Sequence, residues 1–568
     1  MSLDLIIKNG SVIDGTGAAR READVGIADG KIAAIGKITE SAKETIDAEG
    51  HVVTPGIIDA HTHMDAQVFW DALGTCSVWH GITSVVMGNC GFSLAPCAEK
   101  DKLLVMRNLE RAEDISPEAM EAGIKWAWET FPQYLDAVER TPKGINYAAY
   151  IGHSALRTYV MGERAFSSTA QPDELEAMKR EVRSAIRAGA IGFTTSRTRN
   201  HQTPDGQPVA SRLADWNEVR ELVSVLGQEK AGVFEIAGED TGTDPERVKD
   251  YQNRLKSLAL DFGVPVTYGM FSNHRAPDYW RPYFDLADET VAAGGKMFIQ
   301  VHSRSLNVLL SFESTLPFDK LPVWRDIRKL PLAEQEAALR NPEMRAKLVE
   351  AAHEQKREGR GIGVEARRAN YKWLFVMDSP MPPYRSVQSI ADEQGKDPVE
   401  VIIDLALAKH LKQFFLQPLA NENQDDVLEM MRHPRSVVTF SDSGAHVSQI
   451  MDSSLQSHML SHWVRDKQAF TLENAIHMLT AVPAANWGLT GRGMLKEGWH
   501  ADVIVFDPNR ITPMLPELHH DLPAGARRLK QKADGLMATV VNGEVLMRNN
   551  EHTGALPGRL LRGPLAAR

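Results

Sequence analysis

His61-Thr62-His63 closes the apolar run Val52-Val53-Thr54-Pro55-Gly56-Ile57-Ile58-Asp59-Ala60. On a strand, residues two apart share a side, so both imidazoles can face one ion. Neutral imidazole suits zinc, and two of them supply half of a tetrahedral shell. Asp442 ends another apolar run, Val437-Val438-Thr439-Phe440-Ser441. A carboxylate there can bind metal and accept a proton from an activated water; its competing use is a turn that caps the next segment. Cys90, in Gly88-Asn89-Cys90-Gly91, sits beside glycines that let other groups approach closely. Its thiolate suits zinc, although a lone thiol more often fills core space.

Further candidates follow other apolar runs. Arg304, in Val301-His302-Ser303-Arg304, can clasp a substrate carboxylate with two prongs. His302 and His153 suit either a substrate contact or a supporting hydrogen bond. Ser196-Arg197-Thr198-Arg199-Asn200-His201 adds Arg197, Arg199 and His201. Together these cations point to an acidic or carboxylate-bearing small molecule. Phe312, Trp324, Trp373, Met377 and Met381 are candidates for an apolar acyl pocket or for plain core.

These residues need a frame. Eight apolar runs alternate with helical patterns: Val52–His61, Thr83–Cys90, Tyr147–His153, Ile191–Thr195, Gly232–Ile236, Pro265–Met270, Met297–His302 and Ser436–Asp442. Helices are expected at Pro172–Ala188 and Trp216–Lys230. The pattern is that of an α/β chain folded as a (β/α)8 barrel, whose chemistry gathers at the C-terminal ends of the strands. Short strands with Asn-Gly and Asp-Gly turns occupy both ends of the chain. A small β-sandwich is therefore expected from residues 1–55 and 485–568, around a barrel at 56–484. Residues 305–433, with a helical stretch Leu332–Arg360, read as a lid-like insertion.

A net charge of −11, with no basic block, argues against nucleic acid or an anionic membrane as partner. No apolar stretch is long enough to span a bilayer, and the start lacks a basic segment followed by an apolar core. Three cysteines make no disulfide framework. A cytoplasmic enzyme with a small-molecule substrate is expected, with a homo-oligomer as its assembly.

The chain resembles the amidohydrolase superfamily, and within it the D-aminoacylase branch of N-acyl-D-amino-acid deacylases. The likeness rests on the opening Ile6-Ile7-Lys8-Asn9-Gly10, on Thr54-Pro55-Gly56-Ile57-Ile58-Asp59-Ala60-His61-Thr62-His63, and on Gly88-Asn89-Cys90-Gly91. Ile151-Gly152-His153-Ser154 and Gly491-Arg492-Gly493-Met494 add to it. The resemblance implies zinc held by His61, His63, Cys90 and Asp442. It implies amide hydrolysis in which Asp442 accepts a proton from the attacking water and returns it to the leaving amine. Departures accompany it. The fifth run, ending Glu235-Ile236-Ala237, and the sixth have no histidine where the family supplies one, and His274 comes late. The fourth ends in Thr194-Thr195, without the lysine of many relatives. One zinc ion is thus expected in preference to two, with Glu235 as a further ligand candidate. A cyclic-amide hydrolase, a deaminase and a non-catalytic binding protein on the same scaffold are the alternatives.

Overall fold

Gly56 divides the first apolar run between two sheets. In the computed structural model, which describes residues 3–242, 244–354 and 369–566, Val52–Pro55 pairs with Leu3–Val12 and Val503–Phe506. Ile57–Asp59 instead pairs in parallel with Ile82–Met87. A Cβ on Gly56 would lie 2.1 Å from Oγ1 of Thr83, so the crossing admits no side chain. The expected strand Val52–His61 is corrected to two strands, and the His-Thr-His segment follows them as an extended loop.

The parallel series starts at Ile57–Asp59 and Ile82–Met87. It continues through Asn146–Ala149 with Ile151–Gly152, Gly192–Ser196, Val233–Ala237, Val266–Gly269, Met297–Val301 and Ser436–Val438. Each of the eight runs expected from sequence contributes a strand, and every pairing in the series is parallel. Most of these residues are buried, which explains runs that are continuously apolar and do not alternate. The first and last strands meet just beyond their ends. Thr62 and Ser443 form a parallel bridge; His63 N–H donates to Ser443 O at 2.8 Å, and Asp442 N–H donates to His61 O at 3.2 Å.

Helices behave as their caps dictate. Pro172–Ala188 opens with proline in its first turn, stops at left-handed Gly189, and buries Met178, Val182, Ala185 and Ile186 on one face. Trp216–Glu229 is capped by the Asp215 side chain and ends one residue before the expected Lys230, which takes the left-handed cap position.

A nine-stranded sheet joins both ends of the chain. Its apolar face packs Leu5, Ile7, Val25, Ile27, Val53, Val503, Val505 and Val540 together. Asn542 and Gly543, both at positive φ, make the tight turn between its strands Leu536–Val541 and Glu544–Arg548. Beyond this sheet the chain returns to the parallel strands, where Leu560 bridges Tyr147, and to the helix Phe131–Arg140, where Arg562 reaches Asp136 at 2.8 Å.

Residues 305–433 form more than a helical excursion. Leu306–Leu310 pairs antiparallel with Phe415–Ala420, and Phe375–Val376 extends the sheet. A separate core of Phe312, Phe318, Trp324, Leu348, Ile402 and Phe415 lies beneath. The expected helix Leu332–Arg360 is two helices, Leu332–Arg340 and Pro342–Glu354, broken where Pro342 cannot continue the first; residues 355–360 lie outside the described residues. Among the described residues, no helix is long and apolar enough to cross a membrane.

Candidate metal centre

Four donor atoms converge at the junction of the first and last strands. Nε2 of His61 and Nε2 of His63 lie 3.4 Å and 3.3 Å from Oδ1 of Asp442. Sγ of Cys90 lies 3.4 Å from Nε2 of His61. His61, His63 and Cys90 each bring one donor within 4.8 Å of the others, and Asp442 joins through the two imidazoles. A tetrahedral shell with bonds of about 2.0–2.3 Å has edges of about 3.3–3.7 Å, and the His61–Asp442, His63–Asp442 and Cys90–His61 pairs lie at such distances, while Asp442 stands outside the compact trio of His61, His63 and Cys90. Oδ1 of Asp442 is buried and makes no hydrogen bond in the protein, as a metal ligand should. The donor set and its spacing fit zinc.

The backbone around these donors is held in unusual conformations. Cys90 and Asp442 have φ of 56° and 52°, in the left-handed region that costs non-glycine residues about 1–2 kcal/mol. Thr194 braces the Cys90 turn: its hydroxyl donates to Gly88 O at 2.5 Å and accepts from Gly91 N–H at 3.0 Å. The fourth strand thus supplies a clamp where many relatives would be expected to offer a lysine. Glu235 accepts from the Cys90 N–H at 2.7 Å, and its other oxygen lies 4.0 Å from the sulfur. Phe440 stacks on His61 with centroids 3.7 Å apart.

Charge is concentrated here. Burial pushes His61 down to about 3, so its ring is neutral. Burial also opposes charge on His63, but Glu113 and Asp442 outweigh it and raise the ring to about 9. Burial likewise disfavours ionised Asp442, yet the neighbouring histidines hold it below the usual carboxylate range. Glu235 is raised by burial to about 8, and burial drives the Cys90 thiol well upward. A centre with several buried carboxylates rewards a cation.

A cavity of about 460 Å³ opens onto the centre. Its polar wall includes His63, Cys90, Glu113, His201, Glu235, Asp442 and His446, while Tyr251, Tyr268, Phe271, Tyr279 and Tyr283 form an aromatic wall. His201 Nδ1 and Ser196 Oγ share a hydrogen bond at 2.8 Å, and burial lowers the ring to about 3, so it is neutral.

Other candidates have different partners. Arg304 is bound to Asp452 at 2.8 Å, Ser454 Oγ at 2.9 Å and the Met451 carbonyl, which corrects its expected role as a carboxylate clasp. His153 lies between Thr195 Oγ1 and Glu218 Oε1, both at 2.8 Å, as a buried support. His302 donates from Nε2 to Phe440 O at 2.6 Å, steadying the ring stacked on His61. Arg197 bonds the Ala214 carbonyl and lies 3.8 Å from Glu239. Arg199 is on the cavity wall and paired with Asp240, with its side chain 70% exposed. His274 bonds Glu422 at 2.7 Å and stacks on Trp373. Phe312, Trp324, Trp373, Met377 and Met381 do not line this cavity, and Phe312, Trp324 and Met377 take the core alternative. Glu113, His446 and Gln300 had no signal in the sequence: the first two lie in irregular turns, and a mid-strand glutamine looks like any other.

A model of the amidohydrolase family matches residues 44–547. The chain belongs to the amidohydrolase family. This amidohydrolase is 27% identical over 563 residues to the D-aminoacylase of Alcaligenes xylosoxydans xylosoxydans, covering 98% of this chain and 97% of that one. A D-aminoacylase structure, from work on its binuclear metal centre with one-metal activation and second-metal attenuation, superposes with a TM-score of 0.66 at 24% identity. It is covered completely, along with 99% of this amidohydrolase. The N-acyl-D-glutamate deacylase of Bordetella bronchiseptica, solved with zinc and a phosphonate mimic of the tetrahedral intermediate, gives 0.65 at 23% identity, with coverage of 99% and 100%. These likenesses support the amidohydrolase fold.

Proposed function

We propose that this chain hydrolyses the amide bond of an N-acyl amino acid, using one zinc ion held by His61, His63, Cys90 and Asp442. The observation that carries the reading is the clustering of the His61, His63 and Cys90 donors within 4.8 Å of one another, with Oδ1 of Asp442 3.3–3.4 Å from both imidazoles. The relative named D-aminoacylase, matched end to end, supports the substrate class. We also propose that the parallel strands close through the Thr62–Ser443 bridge into a (β/α)8 barrel. The nine-stranded sheet, from residues 1–55 and 485–568, would form the second domain.

Zinc bound there would supply Lewis acidity, polarising the carbonyl and making water easier to deprotonate near neutral pH. Asp442 takes the proton of the attacking water on its carboxylate and delivers it to the leaving nitrogen. His61 and His63 present their Nε2 atoms 3.3–3.4 Å from Oδ1 of Asp442, so that the three groups would share one ion. Glu235 braces the Cys90 turn through its bond to the Cys90 N–H and stays outside the ligand set. Arg199, at the cavity wall, meets the substrate carboxylate, and the aromatic wall takes an apolar group.

The test is amine release from N-acetyl-D- and N-acetyl-L-amino acids by zinc-loaded protein, with metal counted per chain. Turnover with one zinc per chain, lost on chelation and restored by zinc, is expected. No turnover across the panel by protein holding one zinc per chain would sink the reading and favour a binding protein.

A further inference from the structure

The two histidines of the centre are backed by unlike acceptors. Both point Nε2 at Asp442. Behind His61, Nδ1 lies 2.6 Å from Oε1 of Gln300, whose amide nitrogen donates onward to Thr267 Oγ1 at 3.3 Å. Behind His63, Nδ1 makes no hydrogen bond and lies 3.6 Å from Oε1 of Glu113, an ion-pair separation slightly beyond hydrogen-bond reach. Glu113 is 1% exposed, and its Oε2 also lacks a partner. A buried N–H and a buried carboxylate without other hydrogen bonds are each costly, and a small approach satisfies both.

Glu113 is anchored for this place. It follows the helix Lys102–Glu110, and its carbonyl accepts from the His446 N–H at 2.6 Å. The next residue, Asp114, accepts from Ser448 Oγ at 2.7 Å. The turn bearing Glu113 is therefore pinned to the same loop that carries Asp442. Gln300 sits on the strand Met297–Val301, directly between its parallel partners Gly269 and Val437. Two rigid supports, from distant parts of the chain, reach the far nitrogens of two adjacent rings.

We infer that Glu113 and Gln300 are positioning residues of the metal centre: Gln300 accepts the Nδ1 proton of His61, and Glu113, on closing the 3.6 Å gap, accepts that of His63, so each Nε2 lone pair is left for the ion. Ligand imidazoles depend on such acceptors to fix tautomer and ring orientation. The pair differs in charge. Gln300 orients a ring without adding charge, whereas Glu113 adds an anion beside the cation the centre is built to hold. The inference rests on the proposed metal site but has a readout of its own.

That readout is nitrogen-15 NMR of the histidines in metal-free protein at a pH where the rings are neutral, together with zinc affinity by chelator competition. Wild type should show Nδ1–H tautomers for both rings. Gln300→Leu and Glu113→Leu should each shift their own ring towards a tautomer mixture and weaken zinc roughly 10–100-fold. Glu113→Gln keeps an acceptor oxygen, so it should restore the His63 tautomer while recovering only part of the affinity. Unchanged tautomers in both leucine variants, with near-native melting temperatures, would overturn the inference. If wild type binds no zinc but the tautomers respond as expected, the metal reading fails while the positioning roles stand.

Discussion

The backbone N–H of Cys90 donates to Glu235 at 2.7 Å, while the Cys90 sulfur lies 3.4 Å from Nε2 of His61. One residue therefore ties the fifth strand to the first through opposite ends of itself. Glu235 stands where a histidine of the fifth strand is expected, and it grips the backbone of the turn that carries the proposed ligand Cys90.

This arrangement separates two roles. Glu235→Gln keeps an acceptor for the Cys90 N–H and should leave one zinc per chain by elemental analysis, with kcat/KM reduced no more than about tenfold. Cys90→Ala removes a donor and should weaken zinc beyond the roughly 10–100-fold cost of losing an outer support. Loss of the ion in Glu235→Gln would make Glu235 a ligand.

Asp442→Asn keeps size and hydrogen-bonding shape but cannot take up a proton at neutral pH. General acid–base groups contribute about 10²–10⁴-fold, so kcat should fall by that order. Steady-state rates on zinc-loaded protein check this, and a loss of kcat explained wholly by missing zinc would contradict the proton role.

Among the described residues, Arg199 is the one arginine lining the cavity. Arg199→Ala should raise KM about tenfold with kcat nearly unchanged, because it removes binding common to the ground and transition states. Its effect should vanish on an acyl amine that lacks the carboxylate.

Glu218 provides a stability test away from the metal. Burial opposes its charge, but His153 at 2.8 Å and Arg157 outweigh this and lower it from 4.5 to about 2. A carboxylate depressed in the folded state adds stability above its unfolded value and loses it as pH falls. The melting-temperature gap between wild type and Glu218→Gln should be full at pH 6 and shrink from about 4.5 towards 2. A gap independent of pH would show that packing, not charge, sets it.

Much of this centre was legible in sequence because local rules govern it. His61 and His63 share a side because the extended segment beyond the strand keeps its two-residue alternation, and Asp442 follows a buried run, so their convergence could be read from spacing. Arg304 could not be read, because its partner Asp452 lies 148 positions away and satisfies it in the interior. Glu113 escaped for a related reason: its place depends on Asp114 meeting Ser448, a contact 334 positions apart. The segment 305–433 looked helical because its helices carry local periodicity, while its strands Leu306–Leu310 and Phe415–Ala420 are short and recognise each other only across the insertion.

The sheet shared by both chain ends has a consequence for synthesis. Val53 sits between Val12 and Val505. At about 5–20 residues per second, Val505 leaves the ribosome roughly 20–90 s after Val53. Throughout that interval the early strands present an open, sticky edge, the kind of surface that invites pairing with other chains. A nascent chain carries that edge without its later partner until the final strands arrive, and a stalled chain that never makes them keeps it open to its neighbours.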